Sequence, residues 1–406
     1  MQSVTIGGNQ AGQRLDKFLH KYLPNAGNGF LYKMLRKKNI TLNGRKAEGS
    51  EILSLDDTVA FFFSEETFAK FSGLGQAKNP NTEQGKKACP KTRDIITNNT
   101  PGAEAAQGTE ARLAEEGRKA YRLLKGITVL YEDDNILILN KPQGILTQKA
   151  QREDSSLNEW LTGYLLEREP AFQKELHTFR PSVCNRLDRN TSGIVLCGKS
   201  LAGSQYLSRC IRERSVRKFY RTICVGCIKE PQAIHGYLEK DSAKNRVTVW
   251  DGQDKASPEA APIHTAFVPL AWSNAIPCKG AVRNQEEEQR KTEDKHGYTL
   301  LEVELITGKP HQIRAQLAGI GHPLIGDFKY GDAGINRQFR EEFGLSCQLL
   351  HACRVEFPAE EDNAVGKALS GRKICAPCPV LFARLQDALD LPAGINIPDE
   401  KSGGRK

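Results

Sequence analysis

Apolar residues recur at helical spacing from residue 15 onward, and this pattern predicts two short helices. Their apolar faces comprise Leu15, Phe18 and Leu19 in the first helix, and Phe30, Leu31, Met34 and Leu35 in the second. A short apolar run then enters an Asn43-Gly44 turn, and a second apolar run covers 59–63. An Asn-Gly pair between such runs is typical of a hairpin. We therefore predict a compact module of two helices and a hairpin over 12–63.

The stretch from Ser72 to Ala120 has a different composition. It contains no aromatic residue and few large aliphatic residues, while Gly, Pro, Asn, Thr, Ala and charged residues dominate. Such a segment buries too little apolar surface to offset the entropy lost on ordering. We predict a flexible linker over 64–120, with any helix confined to the residues after Ala103.

Strand-like runs dominate the remainder of the chain. These runs lie at 127–131, 136–139, 194–197, 220–225, 247–250, 264–270 and 298–306. One helical pattern occurs at 155–165. Because the strands cluster and do not alternate strictly with helices, the pattern predicts an α+β domain with a mainly antiparallel mixed sheet over 121–392. The polar segment 277–296 predicts a surface excursion, and 393–406 predicts a loose tail.

Positive charge is concentrated in the predicted N-terminal module. The whole chain has 58 Lys and Arg against 49 Asp and Glu, a net charge of +9. Between Arg14 and Lys46, nine basic residues accompany a single acidic one. Lys33, Arg36 and Lys37 lie opposite the apolar face of the second helix. A merely solvated helix face usually mixes signs, so the concentration favours phosphate contacts with duplex RNA.

Several function classes are excluded or disfavoured by composition. No segment has the roughly 18 apolar residues of a membrane span, and the N-terminus lacks a secretory pattern. Eleven cysteines, an odd number, indicate reduced thiols and a cytoplasmic protein. Two CxxC pairs, at 224–227 and 375–378, lie almost 150 residues apart. This spacing does not fit a zinc ribbon, so we expect small buried side chains and no metal.

One carboxylate with two cationic neighbours is prominent in the segment 185–193. Asp188 lies between Arg186 and Arg189, and Thr, Ser and Gly follow before an apolar strand. Neighbouring cations favour the charged form of a carboxyl group, so Asp188 is a candidate nucleophile. An Asx turn that closes the loop explains the spacing equally well.

A second dense segment runs from Thr307 to Arg314. Thr307 and Gly308 end a strand, and Pro310 suits the first turn of a helix. His311 and Arg314 follow on that helix, where phosphate contact is one interpretation of both. For His311, a hydrogen-bonded packing role is the more common one.

Several short blocks together resemble the RluA-type pseudouridine synthases. The segment 185–193 resembles their HRLDxxTSG signature, and 307–314 resembles their TGRxHQIR block. The other matching blocks are Asn140-Lys141-Pro142-Gln143-Gly144 (NKPxG), Lys218-Phe219-Tyr220 (KxY), Gly326-Asp327-Phe328-Lys329-Tyr330-Gly331 (GDxxYG) and Leu350-His351-Ala352 (LHA). Residues 14–63 resemble the S4 RNA-binding module that precedes this domain in many members. Asn185 stands where the family often has His, and Lys309 replaces Arg, which keeps the charge and loses the planar fork.

The resemblance implies an isomerase that converts uridine to pseudouridine by base flipping, without a cofactor or a metal. It implies Asp188 as the catalytic carboxylate and Arg314 as its ion-pair partner. Tyr220 would stack on the flipped uracil, with its phenol as a candidate general base at C5. Whether the carboxylate attacks C1′, attacks the base or deprotonates C2′ stays open. The predicted RNA-binding residues are Arg14, Lys33, Arg36, Lys37, Lys141, Arg186 and His311, of which Lys141 and Arg186 either hold the loop or contact phosphates.

Two other functions compete with this one. A glycoside hydrolase also breaks a bond at C1 of a sugar, but it usually needs two carboxylates. Asp327 is the candidate second carboxylate, and its Gly-Asp-x-x-Tyr-Gly setting is typical of a turn. A non-catalytic RNA-binding protein is disfavoured because Asp188, Tyr220 and Arg314 are all retained. The expected substrate is 23S-type ribosomal RNA rather than tRNA, and we expect a monomer without membrane association.

Overall fold

The computed structural model describes residues 2–72, 101–241, 246–274, 297–360 and 363–392, with the backbone alone for 101–109 and His177. The middle of the predicted linker, the predicted excursion 277–296 and the predicted tail 393–406 lie outside the described residues. The chain divides into two compact units. The N-terminal unit comprises 1–125, 158–182 and 198–204, and the large-sheet unit comprises 126–157, 183–197 and 205–406.

Helices and strands take the following bounds among the described residues. The helices are α1 (Leu15–Tyr22), α2 (Asn28–Arg36), α3 (Glu65–Phe71), α4 (Pro101–Leu123), α5 (Leu157–Arg168), α6 (Leu201–Arg212), α7 (Gln312–Gly319), α8 (Ala333–Phe343) and α9 (Val380–Ala388). The strands are β1 (Gln2–Thr5), β2 (Ile40–Leu42), β3 (Arg45–Lys46), β4 (Thr58–Phe61), β5 (Thr128–Glu132), β6 (Ile136–Lys141), β7 (Ser182–Val183), β8 (Ser192–Gly198), β9 (Arg217–Val225), β10 (Gln232–Asp241), β11 (Arg246–Trp250), β12 (Ala261–Ser273), β13 (Tyr298–Leu305), β14 (Leu350–Glu356) and β15 (Lys373–Cys375).

The N-terminal unit contains the two predicted helices and the predicted hairpin. Its strands follow the order β1-β4-β2-β3 and pair antiparallel. The predicted apolar faces form its core, in which Phe18 and Tyr22 stack with ring centroids 5.4 Å apart. Tyr22 stacks in turn on Phe61 at 5.3 Å. Flat rings bury large apolar areas, so this stack joins α1 to the sheet.

Helices occupy both described ends of the segment predicted as a linker over 64–120. A helix after Ala103 is as expected, whereas α3 was not predicted. Helix α3 follows the module directly, its start is capped by the Ser64 side chain, and its Phe68 is buried. Helix α4 covers the other end, with Ala114 and Ala120 buried. Small residues bury their surface by close backbone approach, and a count of large aliphatic residues does not detect this.

Helices α4 and α5 approach each other at a pair of glycines. A Cβ atom at Gly163 would overlap the backbone carbonyl of Gly117 and the Cβ of Tyr121. Beside this contact, the rings of Tyr121 and Trp160 lie 5.5 Å apart. The glycines are therefore required by the close crossing of the two helices, despite the cost of glycine inside a helix.

The large-sheet unit contains, over its described residues, an eleven-stranded sheet. Its main path is β11-β10-β12-β13-β9-β14-β8-β6-β5, with β15 beside β14 and β7 beside β8. Seven neighbouring pairs, from β11–β10 through β9–β14 together with β14–β15 and β5–β6, are antiparallel, and β8 and β14 pair in parallel. The prediction of a mixed chain with a mainly antiparallel sheet is confirmed, as is the β5–β6 hairpin. Pattern analysis alone did not predict α6, β10, α8, β14 or α9.

Strands β8, β9 and β14 adjoin at the middle of this sheet, and Gly193 makes the approach possible. Gly193 has a φ of +110°, and a Cβ atom there would overlap the backbone of Ala352 on β14. Next to it, Ser192 Oγ lies 2.9 Å from His351 Nδ1. Only glycine tolerates this conformation and this contact. The loop that precedes β8 is thereby brought beside β9 and β14.

The described residues contain neither a membrane-spanning helix nor a cluster of metal ligands. There, no helix is long and apolar enough to cross a membrane. In the same residues, no group of three His, Cys, Asp or Glu side chains is arranged to hold a metal ion. Cys224 and Cys378, one from each CxxC pair, are free thiols, and burial raises the pKa of Cys224 to about 12.

The two helical glycines Gly163 and Gly29 form a matched pair for testing the helix crossing. Gly163→Ala should lower the free energy of unfolding by roughly 1–3 kcal/mol, because the added methyl overpacks the crossing. Gly29 in α2 has open space around its Cα, so Gly29→Ala should raise stability by about 0.5–1 kcal/mol through helix propensity. Urea denaturation of both variants measures the two changes. Equal effects at the two positions would contradict the close crossing.

Candidate active site

The loop that carries Asp188 is held from both sides by hydrogen bonds. Thr147 Oγ1 donates to the Leu187 carbonyl at 2.8 Å and accepts from the Leu187 N–H at 3.2 Å. Asn185 Oδ1 accepts from the Leu196 N–H on β8 at 2.7 Å. The Asp188 backbone carbonyl, and not its carboxylate, accepts from the Thr191 N–H. The Asx-turn alternative is therefore not what closes the loop, and Asn185 orients it.

Arg314, on α7, bonds to two carboxylates at once. Its Nε and Nη2 atoms donate to the two oxygens of Asp327 at 2.7 and 2.9 Å. Its Nη1 atom donates to Asp188 Oδ2 at 2.9 Å. The side chain of Asp327 is 1% exposed and that of Asp188 is 28% exposed. Arg314 therefore links a buried carboxylate to one that solvent reaches.

Charge pairing keeps both buried members of this network ionised. Burial by itself lowers the pKa of Arg314, but the hydrogen bonds and negative charge of Asp327, together with Asp188, raise that pKa above its ordinary value. Burial by itself raises the pKa of Asp327, but the Arg314 guanidinium holds it below its ordinary value. The arrangement is therefore one cation shared between two anions.

The Asp327 side chain also closes the turn in which it lies. Its Oδ1 atom accepts from the N–H groups of Lys329 and Tyr330 at 3.0 and 3.1 Å. The predicted turn is thus present, and the same carboxylate also anchors Arg314. Since Asp327 is buried behind the guanidinium, it does not face Asp188 across an open site. This geometry does not fit the two carboxylates of a glycoside hydrolase.

His311 lies within the same cluster. It takes the left-handed conformation, with φ +55°, at the start of α7. Its Nδ1 atom lies 3.0 Å from the Tyr330 hydroxyl, and its Nε2 atom lies 3.9 Å from Asp188 Oδ2. Burial lowers the pKa of His311, which favours the neutral imidazole. The packing interpretation of His311 is supported, in a place next to the candidate carboxylate.

Tyr220, on β9, forms part of the wall of the pocket that also contains Asp188. The pocket is further lined by Arg186, Lys309 and His311. Tyr220 is 5% exposed, and burial, assisted by the charge of Asp188, raises the pKa of its phenol well above the ordinary value. The hydroxyl is therefore protonated at neutral pH. The three residues that the resemblance singled out, Asp188, Tyr220 and Arg314, thus line one pocket.

Lys141 corrects one sequence-based expectation. It is 0% exposed, and its Nζ atom donates to the carbonyls of Pro142, Ile145 and Arg189 at 3.0, 3.0 and 3.1 Å. Burial lowers the pKa of Lys141 to about 7. The prediction that Lys141 binds RNA is wrong, because no part of the ammonium reaches the surface. Lys141 instead ties the NKPxG segment to the loop that carries Asp188.

Apart from His311, whose side chain is 14% exposed, the remaining predicted RNA-binding residues are exposed. Arg186 is exposed at the pocket. In the N-terminal unit, Arg14 is bound through Nη2 to Asp16 at 2.8 Å. Lys33, Arg36 and Lys37 are exposed, and in the described part of the chain none of these three forms an ion pair. Their charge is free to meet a polyanion.

Sequence reasoning missed the anchoring role of Asp327 and the contacts of Thr147 and Tyr330. The GDxxYG block contained Asp327 and Tyr330, but a turn pattern alone does not show which side chain points inward. Thr147 lies outside every block, and no signal in the sequence connects it to Leu187, 40 residues away.

The sequence of this chain is similar to that of known RNA-modifying proteins. Residues 135–319 match the family model described as RNA pseudouridylate synthase. Ribosomal large subunit pseudouridine synthase C of Vibrio cholerae is 25% identical over 364 residues, which cover 89% of this chain and 90% of the relative. The protein of the same name from Vibrio vulnificus is 26% identical over 379 residues, covering 92% and 94%.

Among solved structures, human RNA pseudouridylate synthase domain containing 4 aligns with 68% of this chain and 97% of that chain. It has 19% sequence identity and a TM-score of 0.45. The segment that matches the family model includes Asp188, Tyr220 and Arg314, the three residues that line the pocket. The family match over residues 135–319 and the relatives that align along most of the chain indicate an RNA pseudouridine synthase.

Proposed function

We propose that this RNA pseudouridine synthase modifies uridine in the RNA of the large ribosomal subunit, with Asp188 as its catalytic carboxylate. The substrate class rests on the relatives, which are named as ribosomal large subunit enzymes. The residue assignment rests on one observation: Asp188 is a partly exposed carboxylate, held by Arg314, in a pocket with Tyr220. All the assigned residues come from one chain, so the proposal needs no second copy. Acting on this RNA would place the enzyme in the cytoplasm.

The reaction needs a positioned carboxylate and a water-poor pocket. The N1–C1′ bond of uridine breaks, the uracil rotates, and a C5–C1′ bond forms. The C5 proton then leaves, its electron pair restores the ring double bond, and N1 takes up a proton, so there is no net oxidation. Because the uridine must leave its base stack to reach Asp188, the enzyme flips it into the pocket. The geometry is compatible with attack by Asp188 at C1′ or on the base and with proton abstraction at C2′.

Arg314 would hold the Asp188 carboxylate in position during this reaction. Charge-assisted hydrogen bonds are short and directional, and the second grip on Asp327 prevents the guanidinium from turning. One Asp188 oxygen bonds to Arg314, which leaves the other oxygen for the substrate. Tyr220 would offer its ring face to the flipped uracil and its hydroxyl for proton transfer at C5.

The N-terminal unit would supply affinity. We propose that its two-helix and hairpin module is an S4-like RNA-binding module and that Lys33, Arg36 and Lys37 neutralise phosphates. Such contacts position the RNA without reading its sequence. They would add to the binding of a structured ribosomal RNA, whereas Arg186 would contact the RNA at the pocket itself.

The first prediction compares two carboxylates that share Arg314. Asp188→Asn should abolish tritium release from RNA that contains 5-tritiated uridine, because an amide cannot replace the reacting carboxylate. Asp327→Asn should lower kcat by about 100-fold without abolishing it, because Arg314 loses its anchor and misplaces Asp188. RNA affinity, measured by fluorescence anisotropy, should stay within a few-fold of wild type in both variants. Residual turnover by Asp188→Asn would refute the assignment of Asp188.

The second prediction concerns the Tyr220 hydroxyl. Tyr220→Phe should keep KM within a few-fold, because the ring remains, and should lower kcat. Burial raises the phenol pKa, so the deprotonated fraction is small at neutral pH and grows about tenfold per pH unit below that pKa. The wild-type kcat should therefore rise from pH 7 to pH 9, and the rise should be absent in Tyr220→Phe. Identical pH profiles would leave Tyr220 with a stacking role alone.

The third prediction tests the basic face of the N-terminal unit. Changing Lys33, Arg36 and Lys37 together to Ala should reduce the slope of log K against log salt by about 2, since each phosphate contact contributes about 0.7–0.9. KM should rise while kcat stays near wild type, because these contacts are equal in the ground state and the transition state. A matched control changes the exposed residues Lys240, Lys367 and Arg384 of the large-sheet unit. If the control triple had the same effect, only net charge would matter.

A further inference from the structure

Phe328 is an exposed aromatic residue that directly follows Asp327. It has 55% of its surface exposed, more than any other aromatic side chain in the described part of the chain. Trp272 is next at 48%, and the Lys229 ammonium lies 5.3 Å from its ring centroid. Over the same residues, the Phe328 ring has no cation or aromatic ring packed against it. Single exposed apolar residues are common on proteins, so the position of Phe328 is what matters.

The turn that carries Phe328 is fixed on both sides of it. The Asp327 N–H donates to the Leu324 carbonyl, and the Asp327 carbonyl accepts from the Gly331 N–H at 2.7 Å. The Asp327 carboxylate accepts from the next two backbone N–H groups, those of Lys329 and Tyr330. The backbone of Phe328 therefore has little freedom, so presenting its ring to a ligand costs little conformational entropy.

The same turn is tied to the proposed catalytic carboxylate. The Asp327 side chain grips Arg314, and Arg314 bonds to Asp188. Phe328 is thus separated from Asp188 by one residue and two ion pairs. Its distance from the reacting atoms is fixed by a rigid chain of contacts.

Two basic side chains, Arg246 and Lys329, lie at the turn that carries Phe328. Arg246, which is exposed, has its guanidinium carbon 5.4 Å from the ring centroid of Tyr330. The Lys329 ammonium lies 5.9 Å from the same centroid. Arg246 also donates to the Lys329 carbonyl. Two cations thus lie on or against the turn that carries Phe328. Proteins that bind single-stranded nucleic acid combine aromatic rings, on which bases stack, with cations that neutralise phosphates.

Base flipping creates the need for such a ring. When a uridine leaves the stack, its neighbours lose a stacking partner, at a cost of a few kcal/mol. Proteins that open a stack commonly fill the gap with an apolar side chain. We propose that Phe328 stacks on a base adjacent to the flipped uridine and so stabilises the opened RNA, an inference that rests on the proposed use of Asp188 on RNA.

A double-mutant cycle tests this contact: the Phe328 ring and an RNA base are removed separately and then together. The substrate is an RNA fragment of the large ribosomal subunit that wild-type enzyme modifies, prepared intact and with an abasic site one or two nucleotides from the target uridine. Phe328→Ala and Phe328→Leu should raise KM on intact RNA by about 5- to 150-fold, the range of one base–aromatic stack. Phe328→Tyr should stay within about threefold of wild type, because it retains the ring. Trp272→Ala is the matched control for loss of an exposed aromatic ring and should leave KM unchanged.

The abasic RNAs identify the partner base. At one position, the abasic site should raise the KM of wild-type enzyme by the same factor as Phe328→Ala raises it on intact RNA. Combining the abasic site with Phe328→Ala should raise KM little further. A Phe328→Leu variant with wild-type KM would overturn the proposal, since it would show that any apolar side chain suffices. So would losses that multiply at every abasic position.

A separate readout distinguishes this contact from the chemistry of the site. Affinity for the same RNAs is measured by fluorescence anisotropy in the Asp188→Asn background, where turnover is not required. The dependence of affinity on Phe328 and on the partner base should persist there. If wild type failed to release tritium while the ring–base coupling in affinity persisted, the proposed substrate would fail and the stacking contact would stand. If wild type released tritium but affinity showed no coupling between the Phe328 ring and a base, the stacking contact would fail and the proposed substrate would stand.

Discussion

The shared guanidinium of Arg314 is the interaction on which the rest of the site depends. Two carboxylates compete for one cation, and the buried one, Asp327, takes the two-pronged grip. A charge that is this deeply buried needs a partner, and removing one partner of a buried pair typically costs about 3–5 kcal/mol. The helix α7, the turn after Gly326 and the loop before β8 are therefore locked together. Asp188 is the member that keeps contact with solvent.

The loops around Asp188 are held by backbone contacts more than by apolar packing. Lys141 gathers three carbonyls from two segments of chain, and Thr147 clamps the residue just before Asp188. These bonds fix loops that have no regular secondary structure. Rigid loops suit the proposed reaction, in which a carboxylate must stay in place while the uracil rotates. A small displacement of a reacting group lowers the rate by a large factor.

Much of this arrangement was accessible from the sequence, for definite physical reasons. Apolar spacing identified the faces of α1 and α2 and the β5–β6 hairpin, because burial on one face imposes a period. The segments around Asp188, Tyr220 and Arg314 were recognised because side chains that react or pair leave short, ordered blocks. The linker prediction missed the packing of α4, which buries small residues through Gly117 and Gly163, since close backbone approach leaves no large apolar side chain to detect. For Lys141 the sequence left both loop holding and phosphate contact open, because a lysine side chain is normally solvated; its burial at the end of β6 excludes the second.

By itself, the sequence determined the class of the fold, the family blocks and Asp188 as the candidate carboxylate, since periodicity, charge and local motifs are properties of neighbouring residues. Only the tertiary structure decided which of two aspartates faces the pocket, which lysine is buried and which aromatic ring is left exposed. These outcomes depend on contacts between segments far apart in the chain, such as Arg314 with Asp188 and Ala352 with Gly193. Long-range packing determines where each polar group finds its partner, and no local pattern encodes that choice.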